Sequence, residues 1–343
     1  MLKFIPPLLL AALLTTGCGG GESSAPQTQT SASVATSAST PDMVAKAESL
    51  AQVVVGGSTT DFVVDDGAAV TTEVGSDSRQ NASVARNAVS QVVAVGLGQL
   101  GVLVSGETAA SPANRIGNQD VSRLVTSPLG GTVQVDIVGS TLTAVFHDLK
   151  TRRATLNGTC RLSLVSGRLS SGTYQIAVNF SAVSIATQAG TFNLEGAADL
   201  NRTRTLSATN LGLDSVWKSN LKISDVGGGS RTFQNFLTTS HIDLAAGALS
   251  ATQSYAGTLI VENLQGLSGT FQISTPTPVR FAGSQQAFQV QAGQLLIAGV
   301  GGTLRLTVSA TNQIEIAVVS GGGAVTVVRT VSWTSLGGWA STD

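Results

Sequence analysis

After about residue 130, apolar and polar positions alternate almost to the end of the chain. Val133, Val135 and Ile137 share one parity, and Leu142, Ala144 and Phe146 answer them after Gly139-Ser140. A glycine first in a two-residue loop suits a type II′ hairpin. Tyr174, Ile176, Val178 and Phe180 alternate cleanly, then Val183 and Ile185 change parity. A one-residue slip of that kind predicts a bulge near Ser181. Phe192 and Leu194, Phe271 and Ile273, and Leu295 and Ile297 continue the pattern, as do Leu304, Leu306 and Val308, then Ile314, Ile316 and Val318. Val325, Val327, Val331 and Trp333 are expected to close it on one face, with Arg329 the exception there.

Period-2 alternation means one buried face and one wet face, which favours antiparallel strands over a doubly wound parallel sheet. No segment of helical period separates the strands after 130, so βαβ units are excluded. The fold class expected is mainly β: a long antiparallel meander that forms a sandwich or a curled, barrel-like sheet. One or two short helices precede it. Thr40-Pro41 reads as an N-cap followed by proline at the first helical position, and Met43, Ala47, Leu50, Ala51 and Val54 follow at helical spacing over 41–54. A second helical stretch, 78–95, aligns Val84, Ala88, Val92 and Val95. Between them, 55–76 is mixed and mildly acidic. Segments 156–162 (LNGTCRL) and 194–200 (LEGAADL) are faintly alike, which is too little for a solenoid.

The first residues follow a different rule. Lys3 precedes an apolar run over 4–14, and Thr15-Thr16-Gly17 leads to Cys18. The run is short of the roughly 20 residues that cross a bilayer, so it reads as an export signal. Gly17-Cys18 resembles the lipobox of bacterial lipoproteins, although Thr15 stands where that family usually has leucine. The resemblance implies a signal peptide over 1–17 and a mature chain starting at Cys18, acylated on sulfur and amine. It also implies an outer-membrane address, because Gly19 rather than Asp follows. Several acyl chains, at about 0.8 kcal/mol per buried CH₂, hold a protein firmly to a membrane. From 18 to 40 the chain is Ser-, Thr- and Gly-rich with no large apolar residue, as expected of a tether. About 22 such residues have an r.m.s. span of roughly 25 Å. The expected organisation is therefore 1–17 signal, 18–40 tether, 41–129 mixed region with helices, and 130–339 antiparallel β domain.

Composition narrows the function classes. The chain has 343 residues, 11% of them charged, 39 glycines and a net charge of −1. That balance offers no electrostatic case for nucleic acid. Of two cysteines, acylation of Cys18 leaves Cys160 without an intramolecular partner. The C-terminal segments STPTPVRF, GQLLIAGVGG, TLRLTV, QIEIAV and VSWTSL resemble, in that order, uncharacterised β-rich lipoproteins of Gram-negative bacteria. LGGTVQVDIV and TLNGTCRLSL upstream are loosely similar to the same group. The group brings no established activity with it.

Candidate chemistry is sparse. Gly96, Gly98 and Gly101 match GxGxxG with Asp120 downstream, but the strand-before, helix-after context of a dinucleotide site is missing. Ser215 and Lys218 match SxxK, without the SDN and KTG elements of serine–lysine enzymes. Only His147 and His241 are available as bases, no GxSxG elbow occurs, and both histidines read as strand-surface or turn residues. Cys160, in phase with Leu156, Leu162 and Leu164, reads as a small buried hydrophobe. Asp65-Asp66 lacks the spacing of an EF-hand, and nothing assembles a zinc site. Trp217, Trp333, Trp339, Tyr174 and Tyr255 are the large amphipathic aromatics, suited either to the core or to a carbohydrate or lipid site.

These readings favour a non-catalytic structural or binding module at the cell envelope, without cofactor or metal. Its expected partners are the membrane, through Cys18, and an envelope protein, lipid or glycan. A lipid or lipoprotein carrier with an apolar cavity, similar to the half-barrel carriers of the periplasm, is the second expectation. An enzyme would need a clustered His–carboxylate–Ser constellation.

Overall fold

The computed structural model describes residues 40–58 and 121–336, except the short stretches 128, 151–153, 168–171, 188–189, 208–209, 247, 265 and 285–287. Cys18, the chain before residue 40, the 78–95 stretch, the 96–101 glycines with Asp120, Asp65-Asp66 and Trp339 lie outside the described residues. The chain divides into two units, Met1–Val34 and Ala35–Asp343, and all described residues belong to the second.

Helix α1 runs Thr40–Ser58. Fourteen strands follow: β1 (Val121–Thr126), β2 (Thr132–Val138), β3 (Thr141–Lys150), β4 (Ala154–Gly167) and β5 (Thr173–Thr187). Next come β6 (Gly190–Leu206), β7 (Asn210–Asp225), β8 (Ser230–Ala245), β9 (Ala248–Leu264) and β10 (Leu267–Ser284). The last are β11 (Phe288–Gly299), β12 (Gly302–Ala310), β13 (Gln313–Val319) and β14 (Val325–Ser332). Each strand pairs antiparallel with the next in one sheet, ordered β1 to β14. Among the described residues β1 and β14 do not pair with each other, so the meander is curled but open.

The alternation seen in the sequence becomes the inner face. Val133, Val135, Leu142, Ala144, Phe146, Ile176, Val178, Phe180, Leu194 and Ile297 are all buried in one contiguous core. Gly139, at φ +58, carries the β2–β3 turn, and Ser140 keeps a negative φ, as a type II′ hairpin requires. The pairing of β5 with β6 shifts between Phe180 and Val183, and Ala182 adopts φ +50, so the expected bulge lies at Ser181-Ala182. Similar left-handed residues, Asp148, Asn235 and Asn263, interrupt β3, β8 and β9. Bulges sharpen local twist, which bends a sheet this wide into a curl.

Helix α1 docks on the inner face at β12–β14. Met43, Ala47, Leu50, Ala51 and Val54 are buried there, as their spacing predicts. Polar contacts fix its direction: Lys46 donates to the Gly266 carbonyl in the β9–β10 turn, Glu48 pairs with Arg329 at 2.5 Å, and Gln52 donates to the Ser335 carbonyl at 3.3 Å.

Two expectations need correction. The sheet begins at Val121, ahead of the boundary expected at 130. β1 is an edge strand reading VSRLVT with Leu124 exposed, so it lacks the alternation that would reveal it. In β14, Val331 and Trp333 are buried but Val325 and Val327 are exposed. The register shifts between Ile316 and Ala317, which pair with Arg329 and Val327 respectively. The unmatched Val328 reverses the facing of everything before it.

Candidate functional site

Strands β5 to β9 carry polar residues at positions whose parity points them inward. In β6 the inward positions run Phe192, Leu194, Ala198, Leu200 and then Arg202. In β7 they run Leu213, Ser215, Trp217, Ser219 and Leu221. In β8 Thr238 and Ser240 stand between Phe236 and Ile242, and in β9 Gln253 and Tyr255 follow Ala251. All are buried, because a strand cannot turn one residue outward without losing register for its neighbours.

Register lines these residues up across the sheet. Tyr174 pairs with Arg202, Arg202 with Ser215, Ser215 with Ser240 and Ser240 with Gln253. One step along the strands, Trp217 pairs with Thr238 and Thr238 with Tyr255. The result is a buried polar band, two residues deep, crossing five strands. Arg202 Nε donates to Ser215 Oγ at 3.0 Å, and its terminal nitrogen donates to Tyr174 Oη at 3.4 Å. Tyr255 Oη donates to Gln253 Oε1 at 2.6 Å. Thr275 Oγ1 accepts from the Tyr255 amide at 2.8 Å, tying β9 to β10 where their direct pairing breaks.

Two groups in the band remain unsatisfied. Trp217 Nε1 and Ser240 Oγ are buried without a hydrogen-bond partner. The residues themselves are only 4% and 2% exposed. A buried polar group left unpaired costs about 1–3 kcal/mol, so two on one patch mark a place where something is meant to bind or bridge. Aliphatic rows flank the band, with Leu213, Ile242, Ala251 and Phe281 on one side and Ile176 and Leu200 on the other. Phe281 meets Trp333 edge-on at 5.7 Å, joining this region to the end of β14.

Nearer the β7–β8 turn lies a smaller charged pair. Arg231, 2% exposed, approaches Asp225 at 3.8 Å, and Ser230 Oγ donates to Glu262 at 2.9 Å. Burial pushes the Asp225 carboxyl upward despite Arg231, and pushes the Arg231 guanidinium downward. A pair held that far apart and that dry is a weak stabiliser.

The outer face supplies one further cluster. His241 on β8 faces Asp214 on β7 at 2.6 Å through Nδ1 and Asp243 on its own strand at 2.7 Å through Nε2. All three are solvent-exposed. His147 lies exposed on β3, so both histidines are strand-surface residues as expected. Among the described residues no group of three or more His, Cys, Asp or Glu could hold a metal ion.

The residues singled out in the sequence separate accordingly. Ser215 points inward and Lys218 outward on β7, an arrangement that a serine–lysine dyad cannot tolerate. Cys160 is free, buried and in phase with Leu156 and Leu162, and burial pushes its thiol up to about 12. Tyr174, Trp217 and Tyr255 come together in the band, whereas Trp333 sits apart. Arg202, Thr238, Ser240 and Gln253 were not anticipated, and strand parity counted through 192–255 is the signal that finds them. Among the described residues no helix is long and apolar enough to cross a membrane. Comparison with protein-family models, with curated proteins and with solved structures finds no match.

Proposed function

We propose that this chain is an exported lipoprotein of a Gram-negative outer membrane, held by acyl chains on Cys18. Its curled β domain acts there as a non-catalytic binding module. The observation supporting a binding role is the inward polar band, in which Trp217 Nε1 and Ser240 Oγ are buried without partners. A module serving only as a filled structural core would gain stability from apolar residues at these positions. The anchor rests on the Lys3, apolar-run and Gly17-Cys18 pattern. Fractionation of cells tests it: wild type is expected with the outer membrane and Cys18→Ala in the soluble periplasmic fraction. Retention of Cys18→Ala in the membrane overturns acyl anchoring.

A lipid or lipoprotein carrier is the second reading. The observation favouring it is the placement of the unsatisfied donors among aliphatic rows on the concave side of an open sheet. Carriers of this kind need an apolar lining with a few convergent polar groups.

A further inference from the structure

The geometry points to the inner face of β5–β9 as a site for a carbonyl-bearing amphiphile, a long aliphatic chain ending in a carboxylate or acyl ester. Trp217 Nε1 and Ser240 Oγ are its head-group donors. This inference rests on the binding-module reading and names the ligand class for it.

An indole N–H donates and cannot accept, so whatever completes Trp217 must bring a lone pair. A serine hydroxyl can donate to the same head group. Trp217 pairs with Thr238 and Ser215 with Ser240, which makes Trp217 and Ser240 diagonal neighbours on one face. Diagonal neighbours lie roughly 7–8 Å apart along the backbone. A head with two oxygens suits two donors so placed. Arg202, Ser215 and Tyr174 bring further N–H and O–H groups to the same row.

The surroundings select the rest of the ligand. Leu213, Ile242 and Ala251 on one side and Ile176 and Leu200 on the other offer only hydrocarbon. A glycan would want polar partners along its whole length and ring faces open for stacking. Here Tyr174, Trp217 and Tyr255 are each no more than 4% exposed. An acyl chain with an oxygen-bearing end matches an apolar face interrupted by one polar band.

The test uses the full chain carrying Cys18→Ala, so that its own acyl groups do not compete. Labelled palmitate and labelled hexadecane are offered by equilibrium dialysis, and labelled phosphatidylglycerol is offered in vesicles. Palmitate is expected to bind at one per chain. Trp217→Phe and Ser240→Ala should each weaken it by about tenfold, the loss of one buried hydrogen bond, while Ser240→Thr keeps the hydroxyl and the affinity. Hexadecane binding should not respond to either substitution. Lipid transfer from vesicles assigns the acyl-ester source, and palmitate binding without transfer assigns the free acid; both support the shared chemistry. Ser240→Ala also removes a buried hydroxyl that has no partner, so ligand-free stability should hold or rise while affinity falls. Loss of stability together with affinity makes Ser240 structural and overturns the proposal. So does a parent chain that binds neither probe, or binding unchanged in both variants. If that parent, analysed by native mass spectrometry, carries a different bound molecule, the binding-module reading stands and only the ligand class falls. If it carries none, both fall.

Discussion

Arg202 and Ser215 face each other across β6 and β7, and the guanidinium Nε donates to the serine hydroxyl at 3.0 Å inside the sheet. A buried arginine is costly to desolvate and is retained only where its donors are met. Arg202→Ala removes two charge-assisted bonds and leaves Ser215 and Tyr174 short of a partner. Hydrogen bonds to charged groups contribute about 1.5–3 kcal/mol each, so a loss of roughly 3 kcal/mol is expected in urea unfolding. Ser215→Ala should cost about 1–2 kcal/mol, since Arg202 keeps its bond to Tyr174. The double variant should fall short of the sum, because both substitutions delete the same bond. Strict additivity contradicts the pairing.

On the outer face, His241 titrates under the influence of two carboxylates. Hydrogen bonding to Asp214 first, and to Asp243 second, raises its pKa above the ordinary 6.5. Both ring nitrogens can donate only when the imidazole is protonated. The sign follows from linkage: the folded pKa is raised, so the contribution is complete below the unfolded value of 6.5. It is then lost as pH climbs through the folded value. The cluster is exposed, and solvent screening keeps the effect on stability small. An NMR titration should therefore place His241 above His147. Asp214→Asn should return it toward 6.5 further than Asp243→Asn does. An unshifted His241 in the wild type rules out the paired geometry.

How much of this was readable in the sequence depends on what faces inward. Where inward residues are aliphatic, as at Val133, Val135 and Ile137 or at Leu304 and Leu306, alternation alone identifies the strand and its face. The bulge at Ser181-Ala182 was equally legible, because a parity change between Phe180 and Val183 has few other physical meanings. Strands β7 to β9 are blurred because Ser215, Ser219, Thr238, Ser240 and Gln253 occupy core positions, so hydropathy no longer reports burial. The pattern thus fades over the same strands that hold the candidate site, as expected where local rules yield to function. β14 misled for a geometric reason: an extra residue at Val328 exchanges faces without changing composition.

Cys160 sits on β4 opposite Ala144 and Phe180, among fully buried side chains. Only the thiolate reacts with alkylating agents, and burial holds this thiol up at about 12. In the Cys18→Ala chain, where it is the single cysteine, iodoacetamide at neutral pH should label Cys160 at the rate of unfolding. Denaturant should bring labelling to completion. Fast labelling in native buffer contradicts the buried placement. Cys160→Ala, a small loss of volume in a packed site, should cost about 1 kcal/mol.

Gly158 faces the bulge at Ala182 more closely than any side chain allows. It holds φ +102, and an added Cβ would lie 2.2 Å from the Ala182 carbonyl oxygen. That oxygen is backbone, so relief requires moving β5 against β4 and disturbing the phase change that keeps Phe180 and Val183 both inward. Gly158→Ala should therefore destabilise by about 3 kcal/mol or more, from strain and displacement together. Gly139 provides the comparison, since it also has a positive φ, +58, but nothing within 4 Å of an added Cβ. Gly139→Ala should cost only the conformational strain, about 1 kcal/mol, and Gly139→Asn less. Thermal or urea unfolding of the three variants separates the two contributions. Equal losses at Gly158 and Gly139 would show that close approach to Ala182 has no part in holding the bulge.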